Sequence, residues 1–464
     1  MSYDTVIKNG LIVQPGLGRF VGSIAIKNGK VVALSESPDL SGEEVIDAAG
    51  KVILPGVIDS HTHWGYTSPF NAQCEADSRA ACLGGVTTAL VYQRFNEGVS
   101  DALFEQRITE AQAVSHVDFC LHPIIRQKTD VEWLEHGIVR WGITNYKFFM
   151  AYKGGFGSDT ARNELDDGLM YDAFGAIAKY RPILASVHAE NFEISEYFLA
   201  KEKALGHDGL RAWHASSPGM AESENAMRAS YFAELQKCPI LIVHLGSKEA
   251  IDIMRRVKSH YALAYAETCP HYLCANVDDS TAGNLAKISP PVRTRQEMEM
   301  CWDALKDGTF DIVGSDNTST RLENKGGTIW DALRGIPGSG TILPLLVSEG
   351  VHKRGLSLER LVEVTSAKTA QLFGLEGKKG TLRPGADADL VVVDLELEKT
   401  ITPELLQGWS DYNIYTGMKV KGWPVLTMVR GRVMQRDGEI VEGASGYGRY
   451  NQCTPQLISE PVVA

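Results

Sequence analysis

The chain has 464 residues, 44% of them hydrophobic and 22% charged, a globular composition that excludes a largely disordered or fibrous protein. Lysine and arginine number 46 against 58 aspartates and glutamates, and the resulting net charge of −12 is spread along the chain, which disfavours nucleic acid as a partner. The longest apolar runs, such as Lys51 to Ile58 and Ala388 to Val393, are shorter than the ~18 residues of a membrane span, and Met1-Ser2-Tyr3-Asp4 begins no signal peptide, so a cytoplasmic protein without membrane contact is expected.

The first fifty residues read as hairpins. Thr5 to Val13 and Ser23 to Leu34 are β-branched, alternating segments punctuated by Asn9-Gly10 and Asn28-Gly29, strong short-range turn signals. From 54 to 375 the writing changes, with apolar runs at 52–59, 86–92, 117–124, 143–151, 183–188, 240–245, 262–267 and 310–315. Segments of helical period lie between them, including Asp101 to Val114, Tyr171 to Lys179, Ala221 to Leu235, Lys248 to Val257 and Arg295 to Leu305. Eight buried strands alternating with helices is the count of a (β/α)8 TIM barrel. A doubly wound sheet is the competitor, weakened because no phosphate-cradling glycine motif follows the first strand. Strand-like writing returns at Asp389 to Asp394, Pro424 to Arg430 and the Asp437-Gly438 turn. The α/β chain is therefore expected to have two domains: a composite β-sandwich from 1–53 and 376–445, and a barrel over 54–375, followed by a tail at 446–464.

In such a barrel, reactive groups sit at the carboxyl ends of the strands. The first run ends in Asp59-Ser-His61-Thr-His63, whose alternation points both imidazoles one way, as two ligands of one metal require. Others end in His188-Ala-Glu190-Asn191, in Val243-His244, and in Gly314-Ser-Asp316. Four imidazoles and one carboxylate thus converge on one mouth. The fourth run places Lys147 among aromatics, where an ammonium is costly to bury. It either snorkels or pairs with an acid, or it reacts with carbon dioxide to give a carbamate that bridges two cations. Two divalent ions with one carbamate, one Asp and four neutral imidazoles sum to about +2, which favours a bridging hydroxide. Cysteines number eight, none in a Cys-x-x-Cys pair, as expected of reduced, buried thiols.

Pro55-Gly-Val-Ile-Asp59-Ser-His61-Thr-His63, Tyr146-Lys147-Phe-Phe-Met-Ala-Tyr152-Lys153-Gly154, Val187-His188-Ala-Glu190-Asn191, Val243-His244-Leu-Gly-Ser-Lys248 and Glu267-Thr-Cys-Pro270 together resemble the amidohydrolase superfamily, most closely the hydantoinase and dihydropyrimidinase branch. The likeness runs from the opening hairpins to Gly380-Thr-Leu-Arg-Pro-Gly-Ala-Asp-Ala-Asp389-Leu. It implies a binuclear hydrolase opening cyclic amides or ureides such as hydantoins and dihydropyrimidines to N-carbamoyl amino acids, assembled as a homotetramer. His61 and His63 would hold the inner metal, His188 and His244 the outer one, and N6-carboxylated Lys147 would bridge them. Asp316 would bind metal and act as general base toward a metal-bridging hydroxide. Tyr152 would donate a hydrogen bond to the oxyanion, and Ser289 would hold the substrate amide by its backbone. Zinc suits these ligands, as do manganese and cobalt.

Trp64, Tyr66, Phe70, Tyr92, Phe95 and Phe156 match the family's substrate loops and read either as a ring-binding mouth or as loop packing. After His63, dihydroorotases and allantoinases carry an Arg, whereas Trp64-Gly-Tyr66-Thr offers no cation for an acidic substrate. Two departures from the family pattern bear on substrate: Asn317 follows Asp316 in place of His, and Gly338 stands where an Asn commonly touches the ring. They motivate an alternative, a hydrolase of a cyclic imide or lactam. A non-catalytic scaffold is the rival of another class, and the full ligand set argues against it. His122 and His271 read as loop-orienting residues, Cys269 as non-catalytic, and Glu190 as an orienting partner for an imidazole.

Overall fold

A computed structural model of the protein describes residues 2–37, 39–151 and 163–458. Those within 1–90, 110–120 and 337–451 form one compact unit, and those within 91–109, 121–336 and 452–464 form another. The opening strands are β1 (Tyr3–Gln14), β2 (Gly18–Lys27), β3 (Lys30–Ser35), β4 (Gly42–Asp47) and β5 (Val52–Pro55). The middle carries β6 (Val57–Thr62), β7 (Val86–Gln93), β8 (Asp118–Ile125), β9 (Asn145–Phe149), the short β10 (Tyr180–Arg181), β11 (Leu184–His188), β12 (Ile240–Ile242), β13 (Ala264–Thr268) and β14 (Ile312–Val313). The closing strands are β15 (Leu390–Thr400), β16 (Lys419–Val429), β17 (Arg432–Arg436), β18 (Glu439–Ile440) and β19 (Gln456–Leu457).

Both ends of the chain join one mixed sheet, ordered β18-β17-β16-β15-β5-β1-β2-β3, with β4 paired to β1. Strand β5 is the stitch, running parallel to β1 and antiparallel to β15. Inward-facing Ile7, Ile24, Ile53, Leu390, Val392 and Met428 belong to its core. Asn28-Gly29 forms the turn between β2 and β3, with φ of 52° and 73°. Asn9-Gly10 does not turn the chain. The register of β1 against β2 slips between Ile7 and Gly10, so this pair is a bulge within one long strand, and Asn9 supplies its left-handed residue at φ 61°.

The eight-stranded sheet is ordered β14-β13-β12-β11-β9-β8-β7-β6 and forms a near-closed parallel barrel. Its order follows the chain without reversal, which excludes the doubly wound competitor, where the order turns back at a switch point. Every residue of β7 and β8 is buried, which is why these strands read as unbroken apolar runs. The run at 52–59 is two strands and not one. The chain breaks at Gly56, where a Cβ would collide with the Thr87 side chain, and β5 enters the mixed sheet while β6 enters the barrel. The expected helices are present as Asp101–Val114, Asp167–Ile177, Gly219–Gln236, Lys248–Lys258 and Arg295–Asp307. The last opens on a capping box of Thr294 and Glu297, and Ser247 caps Lys248–Lys258. Among the described residues, no helix is long and apolar enough to cross a membrane.

A buried charge cluster stands in the first unit. The Lys379 ammonium lies 2.6 Å from Asp118, 2.5 Å from Asp389 and 3.1 Å from Asp387. Arg430 also pairs with Asp118, and Lys30 with Asp387 at 2.6 Å. Within the chain, Phe119 donates its N–H to Arg449 and accepts one from Asn451, and β19 pairs with β10.

Candidate active site

In the first unit, His61 and His63 close β6, both buried, with ring centroids 5.3 Å apart. Asp59 supports them from below: one oxygen accepts the His61 N–H at 3.2 Å and the other the Ser339 hydroxyl at 3.3 Å. The loop that follows is built on Gln73, whose carbonyl oxygen accepts from the N–H groups of Gly65 and Tyr66 and from the Ser68 hydroxyl. Of the expected aromatics, Trp64 is buried edge-on against Phe70 and Phe119, as loop packing requires. Tyr66 is half-buried, its ring 5.6 Å from that of His63. The Gly338 carbonyl accepts both the N–H and the hydroxyl of Thr341, which fixes the turn from which the family's Asn is missing.

In the second unit, Lys147 is fully buried on β9, its ammonium 4.6 Å from the centre of the Tyr92 ring and 5.2 Å from that of Phe149. Burial lowers its pKa to about 8 against the opposing charges of Asp316, Glu267 and Cys269. Tyr92 is buried and accepts a hydrogen bond from Asn145 at 3.0 Å, placing it under the lysine. Phe95 is buried against Phe104, a packing role. His188 and His244 close β11 and β12 with ring centroids 4.5 Å apart at 74°. Burial holds the His188 imidazole below its ordinary pKa in spite of Glu190, whose carboxylate oxygen is 3.1 Å from Nε2. The ring is therefore neutral near neutral pH, as a metal ligand must be.

Asp316 follows β14, half-buried, with φ of 48°, and His244 has φ of 44°. Both occupy the left-handed region that disfavours side chains, a strain that gathers at functional positions. Asn317 hydrogen-bonds Ser315 and Ser319 and bridges to Ile336, so a local polar web stands where the family has His. Ser289 sits half-buried between two tied carbonyls: that of Ile288 accepts from Trp213 at 2.6 Å and that of Pro290 from Tyr272 at 2.7 Å. Tyr152 and Phe156 lie outside the described residues. Buried His122 lies near Asn145 and the Tyr92 ring, and the His271 ring meets that of Tyr272 at 60° with centroids 4.3 Å apart. Cys269 is fully buried.

Sequence reasoning gave Glu267 no role, yet it is fully buried on β13 and accepts the His244 N–H at 3.3 Å. An acid inside an apolar run was the available signal. Among the described residues of the first unit, Asp118, Asp387 and Asp389 lie close enough together to hold a metal ion, but they already surround the Lys379 ammonium.

A barrel with imidazoles and carboxylates at its strand ends is an architecture that can support metal-assisted hydrolysis. The model of the amidohydrolase family matches residues 166–434. A D-hydantoinase from Geobacillus stearothermophilus is 35% identical, over 96% of this chain and 95% of that protein. An allantoinase from Rubrobacter xylanophilus is 32% identical over 96% and 97%. The crystal structure of dihydropyrimidinase from Brevibacillus agri superposes with a TM-score of 0.88 at 29% identity, covering 98% of this chain and all of the other. The chain belongs to the amidohydrolase family, in its hydantoinase and dihydropyrimidinase branch. It is an enzyme, a hydrolase of carbon–nitrogen bonds in cyclic amides.

Proposed function

We propose that this hydrolase opens hydantoin or dihydropyrimidine rings to N-carbamoyl amino acids with two divalent metal ions, zinc by ligand preference. The observation that carries the reading is a fully buried Lys147 beside the buried pair His188 and His244 at the ends of neighbouring barrel strands. The donors fit the ions: neutral imidazoles, a carboxylate, and a lysine whose lowered pKa leaves a useful fraction of free amine to take up carbon dioxide. His61 and His63 would hold one ion and His188 and His244 the other, with carboxylated Lys147 and Asp316 completing the set. Bound there, the ions supply hydroxide at neutral pH and polarise the carbonyl. Asp316 takes the proton of the attacking water and returns it to the leaving ring nitrogen, while Tyr152 donates to the oxyanion.

Asn317 and Gly338 favour a second reading, a cyclic imide or lactam as the ring opened, because both change what faces the substrate in the family pattern. Rates on hydantoins, dihydrouracil and cyclic imides, measured on metal-quantified enzyme, separate the two. Stoichiometric metal with no ring opening on any of them sinks both. The chain is further proposed to act as a homotetramer, which light scattering tests directly.

The lysine chemistry has a pH signature. Only the neutral amine attacks carbon dioxide, so at fixed dissolved carbon dioxide the metal-stripped enzyme should regain activity about tenfold faster at about pH 9 than at about pH 7. Recovery that ignores pH, or that proceeds in carbon dioxide-free buffer, would rule the carbamate out.

A further inference from the structure

The imidazoles of His188 and His244 approach each other at the ends of two different strands, and something must hold those ends in register. Behind His188, the Glu190 carboxylate accepts from Nε2 with one oxygen and from the Ser217 hydroxyl with the other. Ser217 ends the helix Gly209–Ser216, and its carbonyl accepts from Arg293 Nη1 at 2.7 Å. The other Arg293 nitrogen, Nη2, donates to Glu222 at 3.1 Å. Glu222, in the helix Gly219–Gln236, accepts in turn from the N–H groups of Gly246 and Ser247, both at 3.1 Å. Those two amides belong to the turn that carries His244 in its left-handed conformation. One guanidinium therefore connects the support of His188 to the support of His244.

Arg293 also ends the segment Ile288-Ser289-Pro-Pro-Val-Arg293, so the stretch that carries Ser289 is fixed to the same point. All the parts are buried: Glu222 is 0% exposed, Arg293 2%, and Glu190 and Ser217 4% each. A salt bridge this deep gains little stability over apolar packing, so its hydrogen bonds to both supports point to positioning.

We infer that Arg293 is a positioning residue that sets the mutual placement of His188 and His244, acting through Glu190 on one side and Glu222 on the other. The inference rests on the reading that these two imidazoles hold a metal ion. It predicts that loosening Arg293 weakens one metal and spares the other. A general loss of structure would weaken both.

The test titrates cobalt(II) into metal-stripped wild-type enzyme and the variants Arg293→Met, Arg293→Lys and Ser217→Ala with bicarbonate present. Chelator competition reads the two affinities, the visible spectrum reads the coordination, and melting temperature controls for folding. Arg293→Met should lose about 10- to 100-fold in affinity for one cobalt with the other unchanged. Arg293→Lys should recover part of it, and Ser217→Ala should lose less in the same direction. Wild-type affinities in all three variants overturn the inference, as does an equal loss of both ions. Should Arg293→Met fail to fold, Ser217→Ala decides: a selective loss supports the inference and wild-type affinity overturns it. Wild-type enzyme that takes up no cobalt overturns the underlying reading, and the inference with it.

Discussion

Lys147→Ala is expected to give a folded enzyme that holds less than its full metal and has lost more than about 10³-fold in kcat. The side chain is fully buried on β9 beside the Tyr92 and Phe149 rings, and the charges of Asp316 and Glu267 act on it. If the lysine served only as a cation for those acids, the variant would be destabilised but could still bind metal. If it bridges two ions as a carbamate, its loss removes an anionic ligand from both, and the several kcal/mol of charge stabilisation that the ions supply goes with it. A small carboxylic acid added to the buffer distinguishes the cases, because an anion can enter the space the side chain vacates. Partial return of activity with acetate or propionate is expected. Return with a small alkylamine instead would assign the cationic role and remove the bridge. Metal analysis, kcat and melting temperature together read the result.

Lys379→Met should be the most destabilising single change in the first unit, costing about 3–5 kcal/mol. It leaves Asp118, Asp387 and Asp389 at 1%, 3% and 2% exposure without the ammonium that now bonds all three. The isosteric apolar stem keeps the packing, so the loss reports charge and not volume. Burial already holds the Asp389 carboxyl above its ordinary pKa, and loss of the ammonium raises it further, so the folded variant takes up a proton more readily than the unfolded chain. Its stability deficit should therefore shrink as the pH falls from about 8 to about 5. Denaturant midpoints at the two pH values measure this, and a deficit that is unchanged or grows at the lower pH would refute the cluster's assigned role.

Much of this architecture was legible because buried parallel strands have no polar face to interrupt them. The apolar runs ending in His188, His244 and Asp316 marked both the strands and the ends at which these side chains stand. Where the reading slipped, the cause was local ambiguity. Asn9-Gly10 has the chemistry of a turn, yet the same left-handed preference serves a bulge when the chain continues straight. The run at 52–59 looked like one strand because nothing nearby in sequence reveals that Gly56 must pass the Thr87 side chain. Partners distant in sequence were invisible for the same reason. Glu222 and Arg293 are 71 residues apart, and neither position carries a periodic signal for the other. Gln73 as the frame of the 65–68 loop belongs in this group too.

The left-handed backbones of His244 and Asp316 bear on how such a chain changes over generations. In most settings glycine is less stable than alanine, but at a left-handed position the order reverses by about 1 kcal/mol or more. His244→Gly should accordingly melt above His244→Ala, and the opposite order would show that the backbone there is relaxed. A duplicated copy of this gene released from catalysis would then gain stability by exchanging these two side chains for glycine. Their loss would be a downhill path, held back only by selection on turnover.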